Sequence, residues 1–448
     1  MTLLQAPPPR LSVQTAPPPA GSARLIGQAG PDLQSHLAVH GRLPVPTQWG
    51  PLWGEWLLRE LERSGLTGRG GAGFPAYLKA LSVRRAEGQT MIVVNAMEGE
   101  PASAKDQVLL QGSPHLVLDG AQVLAAALGA VRVVICLPEQ REALAARLRG
   151  AIRERGPLDL AMEGSPRSGT QLALLPGRYV TGEESALMAA LSGHPGVPAW
   201  RPDKALPLAI PISRRRVAQP KALVHNAETL ANVALIARYG AQWWRSVGDV
   251  EAPGTVLVTV SGDVGKRGVY EVETGTPISE ILARAGAAPR LQAALVGGYG
   301  GAWIGADRLA TPLSPSPLRA LGASMGAGVL VALGGDACGI RETARVARWM
   351  AGESAGQCGP CLWGLPAIAG DLKEIVRGFV GSPAGTEVYQ RLASRCAAVA
   401  GRGACRHPDG LVRLVESALR VFGPDLKAHL AGAPCAGASG SCVVPVPQ

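Results

Sequence analysis

The chain has 448 residues, of which 47% are hydrophobic and only 4% aromatic, and its formal net charge is +10. This length exceeds one typical hydrophobic core, so we expect two to four domains packed largely by Ala, Leu, Val and Gly. The positive charge favours acidic partners, but no compact Lys/Arg run with interleaved aromatic residues indicates nucleic-acid binding. The basic residues are interpreted as helix and loop surface or, alternatively, as a docking face for an acidic electron carrier.

The N-terminal segment, residues 1 to 50, is rich in Pro and Gly and is expected to be poorly ordered at first. It has no charged start followed by an apolar core, so it does not resemble a secretory signal. The longest apolar stretches, 121 to 131 and 326 to 333, are too short to span a bilayer. We expect a cytoplasmic protein, either free or peripheral on the cytoplasmic face of a membrane. Eight cysteines in that compartment indicate metal or redox chemistry rather than disulfides.

A glycine-rich loop, Gly68-Arg69-Gly70-Gly71-Ala72-Gly73-Phe74, precedes a predicted helix at 75 to 85. Glycines let a ligand approach the backbone, and a helix N-terminus offers amides and a positive dipole to an anion. The spacing fits G-x-G-x-x-G, but helical signals at 53 to 64 stand where a dinucleotide fold requires a strand. The loop also lacks the Lys-Ser or Lys-Thr of a P-loop. It predicts a phosphate site or, alternatively, a plain glycine turn.

Residues 51 to 247 alternate strand signals, at 91 to 95 and 131 to 136, with helix signals at 118 to 128 and 139 to 155. This rhythm is typical of a parallel α/β sheet. The pattern changes near residue 250, and the chain from 248 to 335 is expected to form a small β-grasp domain. Its predicted elements are a hairpin at 255 to 261 and 268 to 272, a helix at 277 to 285 with Thr276 as its N-cap, and a further strand at 291 to 298.

Residues 336 to 431 are predicted to be helical, and the tail, 432 to 448, is expected to be flexible. The helical region contains Cys358-Gly-Pro-Cys361, and Cys405 follows further along the chain. Zinc would require a second such pair, and a thioredoxin-type redox pair would require a βαβ setting. An iron–sulfur cluster needs four thiolates, and Ala355 stands where a first ligand would precede Cys358. The alternatives are a cluster or a buried structural thiol pair.

Six segments follow one another in an order known from a single family. They are Gly65 to Pro75 with Leu78 and Lys79, Val94 to Pro101 with Lys105 and Asp106, Gly177 to Met188, Asn226 to Asn232, Glu353 to Gly364, and Gly401 to Cys405. Together they resemble the NADH-binding flavoprotein subunit of respiratory complex I, which also occurs in bacterial hydrogenases and formate dehydrogenases. The resemblance covers residues 65 to 425. It implies an FMN-binding α/β domain with a parallel sheet, then a β-grasp (SLBB-like) domain, then a C-terminal helical iron–sulfur domain.

The resemblance also implies bound FMN, NADH as substrate and a [4Fe–4S] or related iron–sulfur cluster. Lys79 would hold the FMN phosphate region, and Phe74 would stack on the adenine of NADH. The implied cofactor-binding residues are Gly68, Arg69, Gly70, Gly71, Gly73, Phe74, Lys79, Asn95, Glu98, Glu183 and Asn226. The implied catalytic residues are Glu100 and Glu184, which would bond NADH hydroxyls, and Tyr179 beside the flavin. The implied metal ligands are Cys358, Cys361 and Cys405.

Several positions depart from the family pattern. Met97 stands where the family has an aspartate expected to bond the flavin's polar tail, and Ala355 replaces the first cluster cysteine. The family's second aromatic residue after the loop is missing, and its third has no clear counterpart near 206 to 212. The adenine clamp therefore rests on Phe74. The spare thiols that could complete the cluster are Cys338, Cys435 and Cys442.

The expected function is that of an NADH dehydrogenase flavoprotein that passes single electrons from FMN through the cluster to a partner. The implied partner is a thioredoxin-like 2Fe–2S subunit or an acidic ferredoxin. Met97 and the missing aromatic residues favour an alternative, a ferredoxin-linked flavoprotein with a degraded NADH site. A further alternative is a non-catalytic assembly or ligand-binding protein, against which the retained Lys79, Glu183 and Glu184 argue.

Overall fold

The computed structural model describes residues 23–43, 51–161, 169–199, 221–378, 384–433, 435, 437 and 440–447. Its first helices are α1 (Leu33–His40), α2 (Pro51–Ser64) and α3 (Ala76–Arg85). Helices α2 and α3 confirm the predicted helices on either side of the glycine loop. Within the segment that we expected to be poorly ordered, Arg24 and Leu25 are buried, because the Arg24 side chain donates to the carbonyl of Trp244 at 3.2 Å.

Among the described residues, the first sheet has four parallel strands in the order β3-β2-β1-β4. The strands are β1 (Thr90–Asn95), β2 (Ala130–Pro138), β3 (Thr170–Leu175) and β4 (Lys221–Asn226). Strands β2 and β3 follow one another on one side of β1, and β4 lies on its other side. The direction of winding therefore reverses between β1 and β4, and such a reversal opens a crevice at the carboxyl ends of the strands where α/β proteins bind ligands.

Helices cover both faces of this sheet, as a parallel sheet requires. Side chains alternate along β1, so Ile92 and Val94 join one apolar cluster, while Met91 and Val93 join a second on the other face. The covering helices are α4 (Lys105–Gly112), α5 (Pro114–Leu128), α6 (Glu142–Ala161), α7 (Glu184–Leu191) and α8 (Ala227–Trp244). Helix α5 begins four residues before the predicted start, since Pro114 suits the first turn of a helix.

The second sheet is mixed, with five strands in the order β6-β5-β9-β7-β8. The strands are β5 (Thr255–Gly262), β6 (Gly268–Glu273), β7 (Leu291–Val296), β8 (Ala302–Gly305) and β9 (Val329–Gly334). The central pair, β5 and β9, is parallel, the other pairs are antiparallel, and helix α9 (Ile278–Arg284) packs on one face. This is the arrangement of a β-grasp. The predicted cap is wrong, because Thr276 donates its hydroxyl to the Glu273 carbonyl at 2.8 Å and Pro277 occupies the N-cap.

A short helix, α10 (Pro315–Ala320), precedes β9, and five α-helices follow the second sheet in the part of the chain that the structure describes. They are α11 (Gly339–Gly352), α12 (Leu365–Arg377), α13 (Ala384–Val399), α14 (His407–Val421) and α15 (Gly423–Leu430). Their apolar cluster continues onto the second sheet, where the ring of Trp303 on β8 lies 5.1 Å from that of Phe422, edge to face. All five lie within residues 336 to 431, the region predicted to be helical. The sheet and the helices share a core, so they hold a fixed position relative to each other.

The flexible tail expected after residue 432 is wrong for the residues that the structure describes there. Val444 is buried, and the amides of Val443 and Val444 donate to the buried Glu342 carboxylate at 3.2 and 3.3 Å. The Tyr299 hydroxyl donates to the carbonyl of Pro445. A buried carboxylate needs such donors, which is why the tail packs. Within the described ranges, no helix is long and apolar enough to cross a membrane.

Candidate functional site

The glycine loop lies beside the crevice between β1 and β4. It is closed by a hydrogen bond of 2.8 Å from the Gly68 amide to the Phe74 carbonyl. A Cβ atom built on Gly70 would lie 3.5 Å from Cβ of Asn226, at the end of β4. Gly71 has a φ of +102°, which side chains rarely tolerate, and a Cβ atom there would lie 3.4 Å from the Gly326 carbonyl. The loop backbone thus passes between the first sheet and the segment before β9.

The Arg69 side chain, which was expected to bind a cofactor, is turned into the protein and holds the glycine loop in place. Its guanidinium is buried and donates to the Thr255 carbonyl at 3.2 Å, while its amide donates to the Thr229 hydroxyl at 2.9 Å. Burial lowers the pKa of Arg69, and the Glu228 carboxylate opposes this. Arg69 therefore anchors the loop to α8 and β5, and its predicted contact with a cofactor stays a prediction.

Lys79 and Glu184 form one unit in the structure. The Lys79 ammonium donates to the Glu184 carboxylate and to the Val224 carbonyl, each at 2.6 Å. Both side chains are mostly buried, being 13% and 20% exposed, so water screens the pair less than on an open surface. Burial, followed by the Lys79 charge, lowers the pKa of His225 to about 3. The sequence assigned Lys79 and Glu184 to two different ligands, whereas folding brings α3, α7 and β4 together around them.

Asn95 and Asn226 end the neighbouring strands β1 and β4 and are direct partners in the ladder. The Asn95 amide donates to the Gly182 carbonyl at 2.9 Å, and the Asn226 amide donates to Asp106 at 2.5 Å. The Asn226 oxygen accepts from Lys105 at 3.1 Å. Both asparagines therefore stand at the point where the direction of winding reverses.

A buried charge network behind Asn226 escaped the sequence-based choice of site residues. The Lys105 ammonium lies 2.8 Å from Asp106 and 3.0 Å from Glu228, and all three side chains are buried. Burial opposes the charge of Lys105, but these carboxylates outweigh it and raise its pKa. The network holds Asn226 in place. The available signal was the Lys105-Asp106 pair, which forms part of one of the family-like segments.

Glu98 and Glu183 cap helices. Glu98 accepts from the amides of Asp106 and Gln107, both at 3.1 Å, at the start of α4. Glu183 accepts from the amides of Ser185 and Ala186 at 2.9 and 3.0 Å at the start of α7. Such caps satisfy helix amides that have no partner within the helix. These carboxylates therefore position Lys105 and Glu184, and their predicted cofactor contacts stay predictions.

Glu100 joins the first sheet to the second. Its carboxylate accepts from the Tyr299 amide at 3.0 Å, and the Tyr179 hydroxyl lies 3.5 Å away. Burial raises the pKa of Glu100 to about 7, although these donors oppose the shift. Burial, followed by the Glu100 carboxylate, raises the pKa of Tyr179. The site thus contains a carboxyl group that changes its charge near neutral pH.

Tyr179 also reaches the helical region. Its amide donates to Glu353 at 3.1 Å, and its ring meets those of Trp349 and His407 edge to face, each with a centroid separation of 5.3 Å. His407 follows Cys405 by two positions, and the Cys405 charge acts on Tyr179. Trp349 and His407 were not selected from the sequence. Tyr179 therefore connects Glu100 with the cysteine segments.

Cys358, Cys361 and Cys405 lie close enough to influence one another. Burial, followed by Cys358, raises the pKa of Cys361 to about 12, and Cys405 adds to the shift. Burial also raises the pKa of Cys405, against an amide bond from His407. A trio of thiols gathered from two segments suits three corners of an iron–sulfur cluster, whereas Ala355 offers no ligand atom. All eight cysteines are free of disulfides.

The departures from the family pattern have distinct places. Met97 is 4% exposed and belongs to the apolar cluster that contains Val93 and Leu187, so it serves as a core residue. Phe74 is half-buried at the end of the glycine loop. Residues 206 to 212, where the third aromatic residue has no clear counterpart, lie outside the described residues.

A glycine loop beside the switch in strand order, connected through Tyr179 to the cysteine segments, is the arrangement expected of an electron-transfer flavoprotein. Residues 61–235 match the family model for the Nuo51 FMN-binding domain, and residues 341–429 match that for the NADH-ubiquinone oxidoreductase-F iron-sulfur binding region. The chain is 30% identical to the F subunit of NADH-quinone oxidoreductase from Streptomyces coelicolor, over 85% of this chain and 84% of the relative. It is also 30% identical to that of Escherichia coli K12, over 84% of each chain. The chain belongs to the family of NADH-quinone oxidoreductase F subunits.

A solved structure shows the same fold. A chain of an NAD+-reducing [NiFe]-hydrogenase in its H2-reduced state superimposes with a TM-score of 0.75 at 30% identity. The match covers 85% of this chain and 64% of the hydrogenase chain, so this protein corresponds to about two thirds of that polypeptide.

Proposed function

We propose that this protein is a flavoprotein through which electrons enter a larger complex: it oxidises NADH by way of FMN and passes single electrons through an iron–sulfur cluster. Its family and the two matching domain models support both cofactors and NADH dehydrogenase activity. The observation that carries the proposal is the position of Tyr179, whose hydroxyl lies 3.5 Å from Glu100 and whose ring contacts His407 beside Cys405. One residue links the nucleotide side of the site to the thiol trio.

We assign the FMN site to the crevice between β1 and β4. The glycine loop supplies backbone amides, Lys79 supplies a cation for the phosphate, and Asn95 and Asn226 supply amide groups at the strand ends. FMN takes up a pair of electrons with a hydride and can release them singly, which is what a one-electron centre needs. The protein holds and orients the cofactor there, and the buried Lys105 network keeps Asn226 in place.

We assign NADH binding to Phe74, Glu100 and Glu184. Phe74 offers an aromatic face for the adenine, and the two carboxylates can accept hydrogen bonds from ribose hydroxyls. Glu184 is already held by Lys79 at 2.6 Å, and Glu100 by the Tyr299 amide at 3.0 Å, so both acceptors are fixed before a ligand arrives. Preorganised acceptors bind more tightly because less freedom is lost on binding.

We place the electron exit at the cysteine segments. Leu362 and Trp363, which follow Cys361, are 50% and 76% exposed, and Arg402 and Arg406 near Cys405 are exposed as well. An apolar patch with basic neighbours suits an acidic electron carrier. The family and the hydrogenase neighbour indicate a multi-subunit complex. We propose a thioredoxin-like 2Fe–2S subunit or a ferredoxin as the partner, at the cytoplasmic side of a membrane or free in the cytoplasm.

The test is spectroscopy on anaerobically purified protein. We expect flavin absorption bands with a broad iron–sulfur shoulder, and bleaching of both when NADH is added in a stopped-flow instrument. Acid extraction should release FMN. Release of FAD, or absence of flavin from protein that is correctly folded by circular dichroism, contradicts the proposal.

A second candidate function is a flavoprotein that receives electrons from a ferredoxin and has lost NADH binding. The observation in its favour is Met97, which is buried in the core where the family places a flavin-bonding aspartate. The same stopped-flow experiment separates the two candidates. The second candidate would be established if reduced ferredoxin bleaches the flavin and NADH fails to bleach it at any concentration.

A further inference from the structure

A second group of metal-type ligands lies in the helical region, away from the cysteine trio. Cys338, His429 and Cys435 are all buried, and one ligand atom of each lies within 4.8 Å of the others. Among the described residues, no other group of three Cys, His, Asp or Glu side chains brings its ligand atoms this close together. We propose that it binds a zinc ion that fastens the C-terminal tail to the helical region.

The histidine is already oriented as a metal ligand would be. Its Nε2 atom lies 3.3 Å from the Cys338 sulfur, and the Val376 carbonyl hydrogen-bonds the imidazole ring. Metal-binding histidines commonly donate their second ring nitrogen to such a carbonyl, which fixes the ring and its tautomer. His429 therefore presents Nε2 to the Cys338 sulfur.

Cys338 occupies the N-cap of α11, where a negative sulfur is favourable. Its sulfur accepts from the Arg341 amide at 3.3 Å, within the first turn of the helix. Free amides and the positive end of the helix dipole stabilise a thiolate at this position. Burial nevertheless raises the pKa of the Cys338 thiol to about 12, so zinc has to displace the thiol proton when it binds.

The chemistry of the ligands selects the metal. Two thiolates and one imidazole suit zinc, which prefers sulfur and nitrogen in tetrahedral sites, and do not suit magnesium or calcium, which prefer oxygen. Asp425 acts electrostatically on both Cys338 and His429 from the start of α11, but it lies outside the three-residue ligand group. Its Oδ2 atom accepts from the Gly339 amide at 3.3 Å, which holds the side chain at the start of α11.

The consequence of the site is attachment of the tail. The segment that begins at Cys435 packs its glycines closely against the backbone before α11. Cβ atoms built on Gly437 and Gly440 would lie only 2.2 and 2.0 Å from backbone atoms of residues 337 and 336, so larger side chains would clash there. The tail then reaches Pro445, which accepts from the Tyr299 hydroxyl. The Tyr299 amide in turn holds Glu100 at 3.0 Å. The metal thus secures the segment that lies behind Glu100.

The experiment measures zinc by elemental analysis on the anaerobically purified full chain, together with zinc X-ray absorption. We expect about one zinc per chain with two sulfurs and one imidazole nitrogen among its neighbours. Cys435→Ser should lose the zinc and keep the iron, and its tail should become sensitive to protease. Cys442→Ser, at an exposed tail cysteine, is the matched control and should keep both metals. Cys405→Ser should lose iron and keep zinc, which separates this site from the proposed cluster.

Three results would overturn the proposal. The first is wild-type protein that contains no zinc after purification in zinc-supplemented medium. The second is a Cys338–Cys435 disulfide, detected by mass spectrometry of unreduced, alkylated peptides. The third is loss of iron together with zinc in Cys435→Ser, which would make Cys435 a ligand of the cluster. The X-ray absorption of the wild type decides the ligand set even if a variant fails to fold. Flavin content and NADH oxidation are separate readouts, so they can fail without affecting this result.

Discussion

Ionisation of the buried Glu100 should make the stability of this protein depend on pH. Burial raises the pKa of Glu100 from 4.5 to about 7. The folded chain therefore holds an extra proton between these values, and its free energy of unfolding falls as the pH rises from 4.5 to 7. At about 1.4 kcal/mol per unit of pKa, the loss amounts to about 3 kcal/mol, and it persists above pH 7. Glu100→Gln keeps the shape and one acceptor oxygen but removes the ionisation.

Differential scanning calorimetry at pH 5, 6, 7 and 8 measures this effect. An entropy of unfolding of about 2.1 cal/mol/K per residue makes 3 kcal/mol equivalent to about 3 °C for a chain of this length that unfolds as one unit. We expect the Tm of Glu100→Gln, relative to wild type, to rise by about that amount from pH 5 to pH 8. Glu280→Gln, at an exposed residue paired with Arg284, is the control and should show a constant difference. A constant difference for Glu100→Gln as well would refute the reasoning.

The remaining predictions concern the cofactors. Lys79→Ala should weaken FMN binding about 10- to 100-fold, because a charge-assisted hydrogen bond contributes ~1.5–3 kcal/mol; unchanged flavin occupancy would contradict the assignment. Glu184→Gln should keep FMN but raise the NADH concentration that half-saturates flavin reduction in stopped-flow experiments. Equal loss of flavin in Lys79→Ala and Glu184→Gln would instead show that the two residues act as one flavin-binding unit. Cys405→Ser should abolish the cluster. Air exposure of the wild type should give a three-iron EPR signal, since three thiolates leave one iron without a thiolate. Absence of iron from the anaerobically purified protein would contradict the prediction of a cluster.

Local patterns predicted much of the fold. The helices on either side of the glycine loop, the strand ending at Asn95 and the hairpin at the start of the second sheet follow from periodicity and turn residues, which act over a few positions. Thr276 shows the limit of that approach. It has the chemistry of an N-cap, yet α9 begins at Ile278, so Pro277 takes the N-cap position and the Thr276 hydroxyl donates to the Glu273 carbonyl in the turn after β6.

Site chemistry was predictable where it depends on residue type and unpredictable where it depends on packing. The Cys358–Cys361 pair was found from its spacing and Cys405 from the family resemblance, but Trp349 and His407, which enclose Tyr179, carry no local signal. The tail looked flexible because Gly, Ala, Ser and Pro predominate there. It packs because Glu342 is buried and needs amide donors, a requirement that arises only after α11 folds against the second sheet.

The sequence by itself determined the order of the elements, the glycine loop, the cysteine spacing and the family resemblance, because each is a property of short segments. Only the tertiary structure decided what those residues do to one another. It paired Lys79 with Glu184, turned the Arg69 side chain toward β5, and placed Glu100 where burial raises its pKa. Burial and distance between residues far apart in the chain set these outcomes, and neither is encoded at any single position.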